Sequence, residues 1–296
     1  MSIATGQWSP VEFRAKKNLG QHFLVDRRVI GAVIEGVRPD PSEVVVEIGP
    51  GLGAITFGLA ELVGHLVAVE KDARATAELE RRMSTRPLKN VTLVNEDILD
   101  FQLEKVAAGF SRKVTVVGNL PYNISKPVLE MLVRKREFVS RAVLMFQSEV
   151  ADRLLAEPGS KAYGALTVMV RYRALTNLIL SVSKDAFRPR PNVTSKVLHL
   201  DFSVPHAVKA ENDALFDKVV RAAFSHRRKT LLNSLKSSGH GWPHEMLHRV
   251  LIDCGIDHVR RAETLSVDEF LRLSDCLGGC AENDPQCRWS PIPGWE

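Results

Sequence analysis

The sequence has little cysteine, and its few cysteines are not spaced like metal ligands. Four cysteines occur in 296 residues, all near the end of the chain, and no CxxC pair is present: Cys254, Cys276, Cys280 and Cys287. Cys276 and Cys280 are four residues apart and can share a helix face, but the four-ligand spacing of structural zinc sites is missing. We therefore expect reduced thiols and no metal.

Long apolar runs are also missing. The longest, such as residues 44–46 and 178–180, have the length of strands, far short of the roughly 20 residues that a membrane-spanning helix needs. The first ten residues lack the apolar core of a signal peptide. We expect a cytoplasmic protein that does not enter membranes.

Composition predicts an ordered chain with a mild basic excess. Hydrophobic residues make up 45% of the sequence, enough for one large domain and a small one. Lys and Arg number 40 against 35 Asp and Glu, a formal net charge of +5. This excess agrees with a polyanionic partner but does not require one.

The pattern between residues 44 and 202 indicates an α/β fold. Apolar segments of strand length alternate with segments of helical spacing, and the strand candidates are VVVEIG, LVAVE, VTLVN, VTVVGN, RAVLMF, LILSV and KVLHLDF. Strands that are apolar on both faces, separated by helices, predict a mostly parallel seven-stranded sheet with helices on both faces. The last two strands are joined by a Pro-rich loop, which favours an antiparallel pair at one edge.

After Pro205 the pattern changes to helical spacing alone, with no strand candidate. We expect a first domain over residues 1–205 and a small all-helical domain with an irregular tail over 206–296. Ser266, with Glu269 three residues later, predicts the N-cap of the last helix.

The first strand candidate runs into a glycine-rich turn with the spacing GxGxG, which includes Gly49 and Gly51. This differs from the GxGxxG spacing of dinucleotide folds and argues against a flavin or nicotinamide oxidoreductase. Glu47, just before the turn, suits a cationic ligand, and Glu70, at the end of the next strand, can accept ribose hydroxyls. S-adenosylmethionine (SAM) combines both features.

Two further strand ends carry polar groups. Asp97 follows the third strand, where it can accept from an adenine amine or simply cap a turn. Asn119 ends the fourth strand and opens an Asn-Leu-Pro-Tyr sequence. The Asn119 oxygen and a backbone carbonyl beside Pro121 can accept both hydrogens of an adenine N6 amine, and Tyr122 can stack on the base.

A third polar segment, FRPRPNV, lies between the last two strands and begins at Phe187. Its phenylalanine can cover the second face of a base taken out of its stack. The alternative is that Phe187 anchors an edge hairpin in the core.

These segments, with KNLGQHFL at residues 17–24, NEDILD and AFSHRRKTLLNSL, resemble the ribosomal RNA adenine dimethyltransferase family. The resemblance covers residues 14–275. It implies a class I (Rossmann-like) SAM-dependent methyltransferase fold whose residues 1–30 cover the cofactor site. A helical RNA-binding domain follows it along the chain. It also implies a monomer that dimethylates two adjacent adenosines near the 3′ end of 16S ribosomal RNA, in the immature small subunit, and releases S-adenosylhomocysteine (SAH).

The resemblance also implies a role for each matching residue. It assigns cofactor binding to His22, Leu24, Gly49, Gly51, Glu70, Asp97 and Asn119. It assigns the target site to Asn119, Leu120, Pro121, Tyr122 and Phe187. Many relatives carry Asn where this chain has His22, so we expect retained cofactor binding with some pH sensitivity.

Three alternatives stay open at this stage. One is a methyltransferase of the antibiotic-resistance type, which acts on 23S ribosomal RNA. Another is a relative of mitochondrial transcription factors. The third is a non-catalytic RNA-binding protein of ribosome assembly. Basic clusters at residues 14–17, 134–136, 188–190 and 227–229 are together candidates for a phosphate-binding surface that positions RNA, although each alone is typical of a solvated face.

Overall fold

The computed structural model describes residues 13, 15, 16 and 20–283. These residues form two compact units. The first contains the described residues up to Asp152 together with Arg173–Val204, and the second contains Arg153–Tyr172 and the described residues from Pro205 onward.

The first unit is built on a seven-stranded sheet, as predicted from the apolar runs. Its strands, in chain order, are β2 (Val44–Ile48), β3 (His65–Glu70), β4 (Val91–Asn95), β5 (Val114–Asn119), β6 (Val139–Gln147), β7 (Leu175–Val182) and β9 (Ser195–Asp201). Their order across the sheet is β4-β3-β2-β5-β6-β9-β7. β9 runs antiparallel to both β6 and β7, while the other neighbours are parallel, so the predicted antiparallel edge is confirmed.

The inner strand β2 is buried along its whole length, which fits a strand with β-branched residues and helices above and below it. The helices assigned to this part of the chain are α1 (Arg27–Val37), α2 (Thr56–Ala60), α3 (Ala73–Thr85), α4 (Leu103–Gly109), α5 (Ser125–Arg134) and α6 (Ser148–Leu155). Asp26 and Asp72 are the N-caps of α1 and α3 and accept backbone N–H groups there.

A two-stranded ribbon completes the first unit. β1 (Phe23–Leu24) pairs antiparallel with β8 (Phe187–Arg188), and Leu24 lies opposite Phe187. This pairing joins the segment at residues 20–24 to the loop between β7 and β9.

The second unit is helical, as predicted. It contains α7 (Ala165–Arg173) up to Tyr172, α8 (Asp213–Ala223), α9 (Leu231–Lys236), α10 (His244–Asp253) and α11 (Val267–Asn283). The expected capping box is confirmed: Glu269 N donates to Ser266 Oγ at 3.2 Å, and Ser266 N donates to the Glu269 carboxylate at 2.8 Å.

The predicted boundary between the two parts needs one correction. Residues 153–172 fall within the expected first domain of 1–205, but they pack in the second unit. The reason is burial, because Tyr163 and Met169 belong to the same apolar cluster as Phe216 and Phe270. The tail at residues 284–296, with Cys287, lies outside the described residues.

Candidate active site

The glycine-rich turn after β2 brings backbone amides to the carboxyl end of the sheet. Gly49 and Gly51 have φ of +65° and +55°, a region that favours glycine. A Cβ on Gly51 would lie 3.1 Å from the Phe23 ring, whereas the space around Gly49 is open. The turn therefore lets the chain reverse tightly and leaves backbone exposed at Gly49.

Glu70, at the end of β3, contacts the backbone of this turn. Its two carboxylate oxygens accept Gly51 N at 3.0 Å and Asp72 N at 2.9 Å. Burial raises the pKa of Glu70, although these two backbone bonds partly offset the rise. The two bonds fix the carboxylate plane and leave further lone pairs to accept hydroxyl groups.

Glu47 is a second buried carboxylate beside the turn. The residue is 2% exposed, and its Oε2 atom has no hydrogen-bond partner. Burial raises the pKa of Glu47 to about 7, the neighbouring Thr56 hydroxyl opposes the rise, and the nearby Glu70 carboxylate adds to it. An unpaired buried carboxylate oxygen is costly, and it is suited to receive a cationic ligand group.

Asp97 lies after β4, on the far side of Glu70 from the turn. Its Oδ1 atom accepts Leu99 N at 3.0 Å, and its Oδ2 atom accepts Lys71 Nζ at 2.6 Å. Partial burial would raise the pKa of Asp97, but the bond and charge of Lys71 together with the bond from Leu99 N outweigh burial and hold the pKa below its ordinary value. Ile98 beside it is buried.

The Asn-Leu-Pro-Tyr segment follows β5 on the other side of β2. Asn119 Nδ2 donates to the His22 carbonyl at 2.9 Å, which sets the direction of the side-chain amide. The Tyr122 hydroxyl lies 3.3 Å from Ser195 Oγ, and the His22 ring stacks on Tyr122 with centroids 5.5 Å apart. One face of Tyr122 is therefore covered by His22.

Two adjoining cavities run between these groups. The first encloses about 720 Å³ and is lined by Gly20, Gln21, His22, Phe23, Leu24, Glu47, Gly49, Pro50, Gly51, Leu52, Ala54, Ile55, Glu70, Asn119, Leu120, Pro121 and Tyr122. The second encloses about 550 Å³ and is lined by Gln21, Ile48, Gly49, Val69, Glu70, Lys71, Glu96, Asp97, Ile98, Pro121, Asn123 and Ile124. Gln21, Gly49, Glu70 and Pro121 line both cavities. The two form one trough across the ends of β4, β3, β2 and β5.

This trough lies where parallel α/β sheets bind ligands, at the carboxyl ends of strands beside the point where strand order reverses. Here the reversal falls at β2, between β3 and β5. Of the eleven residues predicted to bind the cofactor or the target base, all but Phe187 line this trough.

Phe187 is the exception. Its ring is 1% exposed and belongs to the core cluster that contains Leu24 and Val197. The pocket walls do not include it. Its burial favours the alternative interpretation, in which Phe187 anchors β8 in the core.

Several contacts beside the trough were not predicted from sequence, and they join Lys16 and Gln21 to Asp72, which follows β3. Gln21 Nε2 and Lys16 Nζ lie 3.0 and 3.4 Å from the Asp72 carboxylate. Burial opposes ionisation of Asp72, but Arg74 and Gln21 lower its pKa to about 2. Only the position of Asp72 directly after the Glu70 strand could have indicated this role.

Within the described ranges, no group of three or more His, Cys, Asp or Glu side chains is arranged to hold a metal ion. No described helix is both long enough and apolar enough to cross a bilayer.

Comparison with known proteins decides the family. The family model for ribosomal RNA adenine dimethylase matches residues 12–277. The chain belongs to the ribosomal RNA adenine dimethylase family. It is accordingly a SAM-dependent methyltransferase that dimethylates adenine in ribosomal RNA, which confirms the activity and cofactor predicted from the motifs.

Named relatives cover nearly the whole enzyme. It is 42% identical to the ribosomal RNA small subunit methyltransferase A of Desulforapulum autotrophicum, over 90% of this chain and 93% of that protein. It is 39% identical to the protein of the same name from Bacillus mycoides, over 90% and 92%.

Solved structures confirm the class I methyltransferase fold. A dimethyladenosine transferase from Plasmodium falciparum superposes with a TM-score of 0.72 at 25% identity, covering 85% of this chain and 96% of that one. The 23S rRNA methyltransferase ErmE superposes with a TM-score of 0.66 at 23% identity, covering 86% and 99%, and supports the fold alone.

The trough fits SAM on its own geometry. The unpartnered Glu47 oxygen suits a cationic group, and the amide-anchored Glu70 carboxylate suits ribose hydroxyls. The open space at Gly49 allows a ligand to approach the backbone closely.

Proposed function

We propose that this enzyme dimethylates the N6 amines of two adjacent adenosines near the 3′ end of 16S ribosomal RNA, in the immature small subunit. The choice of small-subunit RNA is supported by relatives at 39–42% identity whose names carry that substrate. The long helical unit, with its AFSHRRKTLLNSL segment, also favours this substrate over 23S RNA. We further propose that the enzyme acts as a monomer and in the cytoplasm, where this substrate is assembled.

We assign the cofactor to the whole trough. Glu70 would accept the two ribose hydroxyls, and Asp97 would accept the adenine amine with Ile98 packed against the ring. Gly49 and Gly51 would bring backbone close to the ligand. At the other end, Glu47 would meet the ammonium group, while His22 and Leu24 would line the methionine side.

The target amine would be held by residues after β5. When bound, SAM supplies a methyl group activated by its positive sulfur. An adenine N6 amine is a weak nucleophile because its lone pair is delocalised into the ring. The Asn119 side-chain oxygen and the Leu120 carbonyl, next to Pro121, would accept hydrogen bonds from its two N–H groups and localise that lone pair on the nitrogen. The amine proton displaced by the new N–C bond would leave to solvent. Because the methyl group is activated, this positioning is sufficient without a strong base.

Tyr122 would stack on the flipped base with the face that His22 leaves free. Its hydroxyl contact with buried Ser195 fixes the ring edge, and the stack with His22 fixes its plane. Phe187 would contribute indirectly, by holding β8 against β1. The observation that carries the proposal is the meeting of Asn119, Pro121 and Tyr122 with Glu47, Gly49 and Glu70 in one cavity.

Mass analysis of ribosomal RNA from cells lacking this protein tests the proposal. We expect two adjacent unmethylated adenines in small-subunit RNA, restored by the wild-type gene and not by Asn119→Ala. Restoration by Asn119→Ala would favour the non-catalytic assembly role. A methyl group missing from 23S RNA instead would favour the large-subunit alternative.

A further inference from the structure

Lys71 sits at the adenine end of the trough, in a position that the family assignment does not explain. Its Nζ atom lies 2.6 Å from Asp97 Oδ2, and both residues line the second cavity beside Glu70. Glu70 pairs with Asn95 in the sheet register, so the ion pair joins the ends of β3 and β4 across the mouth of that cavity.

The ion pair fixes the orientation of the Asp97 carboxylate toward the second cavity. The bond from Leu99 N holds only Oδ1, and a carboxylate held at one oxygen can still rotate about its Cβ–Cγ bond. The second bond, from Lys71 to Oδ2, fixes the carboxylate plane. The remaining lone pairs of the two Asp97 oxygens therefore point in a fixed direction. Because Asp97 lines the second cavity, a ligand bound in that cavity can donate to them.

The lysine stem contributes a second feature. Lysine side chains cover apolar surface with their methylene groups while the ammonium group stays in water. The Lys71 side chain is 62% exposed, whereas Asp97 is 19% exposed. Because Lys71 lines the second cavity, its stem is available to cover the solvent edge of that cavity.

We propose that Lys71 is a positioning residue for the adenine of SAM, which acts by orienting Asp97 and by closing the outer edge of the cavity. This inference rests on the proposed role of Asp97 as the acceptor of the adenine amine. It predicts that a change at Lys71 alters the affinity for SAM and SAH and does not alter the KM for RNA at saturating SAM.

An exposed lysine near an RNA-modifying site has another possible role, contact with an RNA phosphate. That role would change the KM for RNA and its salt dependence, and it would not depend on Asp97. The two roles are therefore separable by which substrate responds.

Calorimetric titration of SAM separates the two roles, with variants Lys71→Met, Lys71→Arg, Asp97→Ala and the double variant Lys71→Met/Asp97→Ala. We expect Lys71→Met to raise the Kd for SAM about threefold to fivefold, and Lys71→Arg to restore it to within about twofold. Asp97→Ala should raise the Kd about tenfold, and Lys71→Met should add nothing in that background. The KM for RNA, measured at saturating SAM, should stay at the wild-type value in Lys71→Met.

Arg81→Met is the matched control, because Arg81 forms an ion pair with Glu78 at similar exposure, 67% and 21%, and neither residue lines either cavity. It should not change the Kd for SAM. An unchanged Kd in Lys71→Met, or additive effects in the double variant, overturns the inference. A changed KM for RNA with an unchanged Kd for SAM also overturns it and assigns Lys71 to RNA. If Asp97→Ala binds SAM as tightly as wild type, the proposed cofactor site fails together with the inference.

Discussion

At the scale of single residues, Asn119 is held in place before any substrate arrives. Its Nδ2 atom donates to the His22 carbonyl, so the side-chain oxygen is turned to the other side of the amide. Pre-oriented acceptors of this kind lower the barrier because they need no reorganisation during the reaction.

We predict that Asn119→Ala lowers kcat by about a hundredfold, the loss typical of removing one preorganised polar group. Single-turnover methyl transfer at saturating SAM and RNA measures it. Tyr122→Phe is the comparison, since it keeps the stacking ring and removes only the contact with Ser195. A kcat for Asn119→Ala within twofold of wild type would show that this amide does not act on the target amine.

Glu47 provides a prediction about pH. Burial raises its pKa to about 7 in the folded protein, against an ordinary value of 4.5. Between these values the unfolded chain loses the proton that the folded chain keeps, so stability falls as pH rises through this window, and the full cost is present above pH 7. Glu47→Gln removes this cost. The difference in Tm between Glu47→Gln and wild type should therefore grow from pH 5 to pH 8.

The same experiment with saturating SAH is its control. SAH keeps the cationic ammonium group, which favours the ionised form of Glu47, so the pH dependence of the Tm difference should shrink. A Tm difference that is independent of pH, with or without SAH, would mean that Glu47 stays ionised throughout.

At the scale of elements, the turn between β2 and α2 is the part most sensitive to small changes. Gly51 combines a positive φ with a close approach to Phe23 in β1. An alanine at position 51 would have a strained backbone, and its methyl group would press against Phe23, which lines the first cavity.

We predict that Gly51→Ala destabilises the fold by about 1–2 kcal/mol, the cost of the left-handed conformation for an L-residue. It should also raise the Kd for SAM at least tenfold. Gly31→Ala is the control, because a Cβ at this position in α1 would meet no atom within 4 Å. It should stabilise the protein slightly, by up to about 1 kcal/mol. Equal behaviour of the two variants in thermal unfolding and SAM titration would contradict this account of the turn.

The sequence predicted the seven strands well because each contains an apolar run of strand length, and the runs of β2, β3, β5, β6 and β9 are mostly buried. It predicted neither β1 nor β8, since two-residue strands depend on a partner more than 160 residues away, as in the pairing of Leu24 with Phe187. The same pairing holds Phe187 in the core. Because the pairing cannot be read from the sequence, Phe187 was expected at the target site instead. The contact between Lys71 and Asp97 was also missed, because it follows from the register of β3 and β4.

At the scale of the whole molecule, the net charge of +5 suits an RNA substrate, but not every basic residue is available to it. Arg227, in a cluster expected to meet phosphate, instead donates to the Lys161 carbonyl and lies 3.5 Å from Glu263. Arg227 therefore holds the second unit together, and Arg228 beside it is the better probe of RNA contact.

We predict that Arg228→Glu weakens RNA binding and lowers the slope of log Kd against log salt by about one. Arg227→Glu should in addition lower the Tm, because it breaks contacts within the second unit. Filter binding at several salt concentrations, with thermal unfolding, distinguishes the two. An unchanged salt slope for Arg228→Glu would remove this residue from the RNA interface.

The central claim is that one trough brings SAM and an adenine amine of small-subunit RNA together. The most direct test incubates the purified enzyme and SAM with small subunits from cells that lack this activity, followed by mass analysis of the RNA near its 3′ end. We predict two adjacent N6,N6-dimethyladenosines with wild-type enzyme and none with Asn119→Ala. Unmodified adenines with the wild-type enzyme, or methylation confined to 23S RNA offered in the same reaction, would contradict the account.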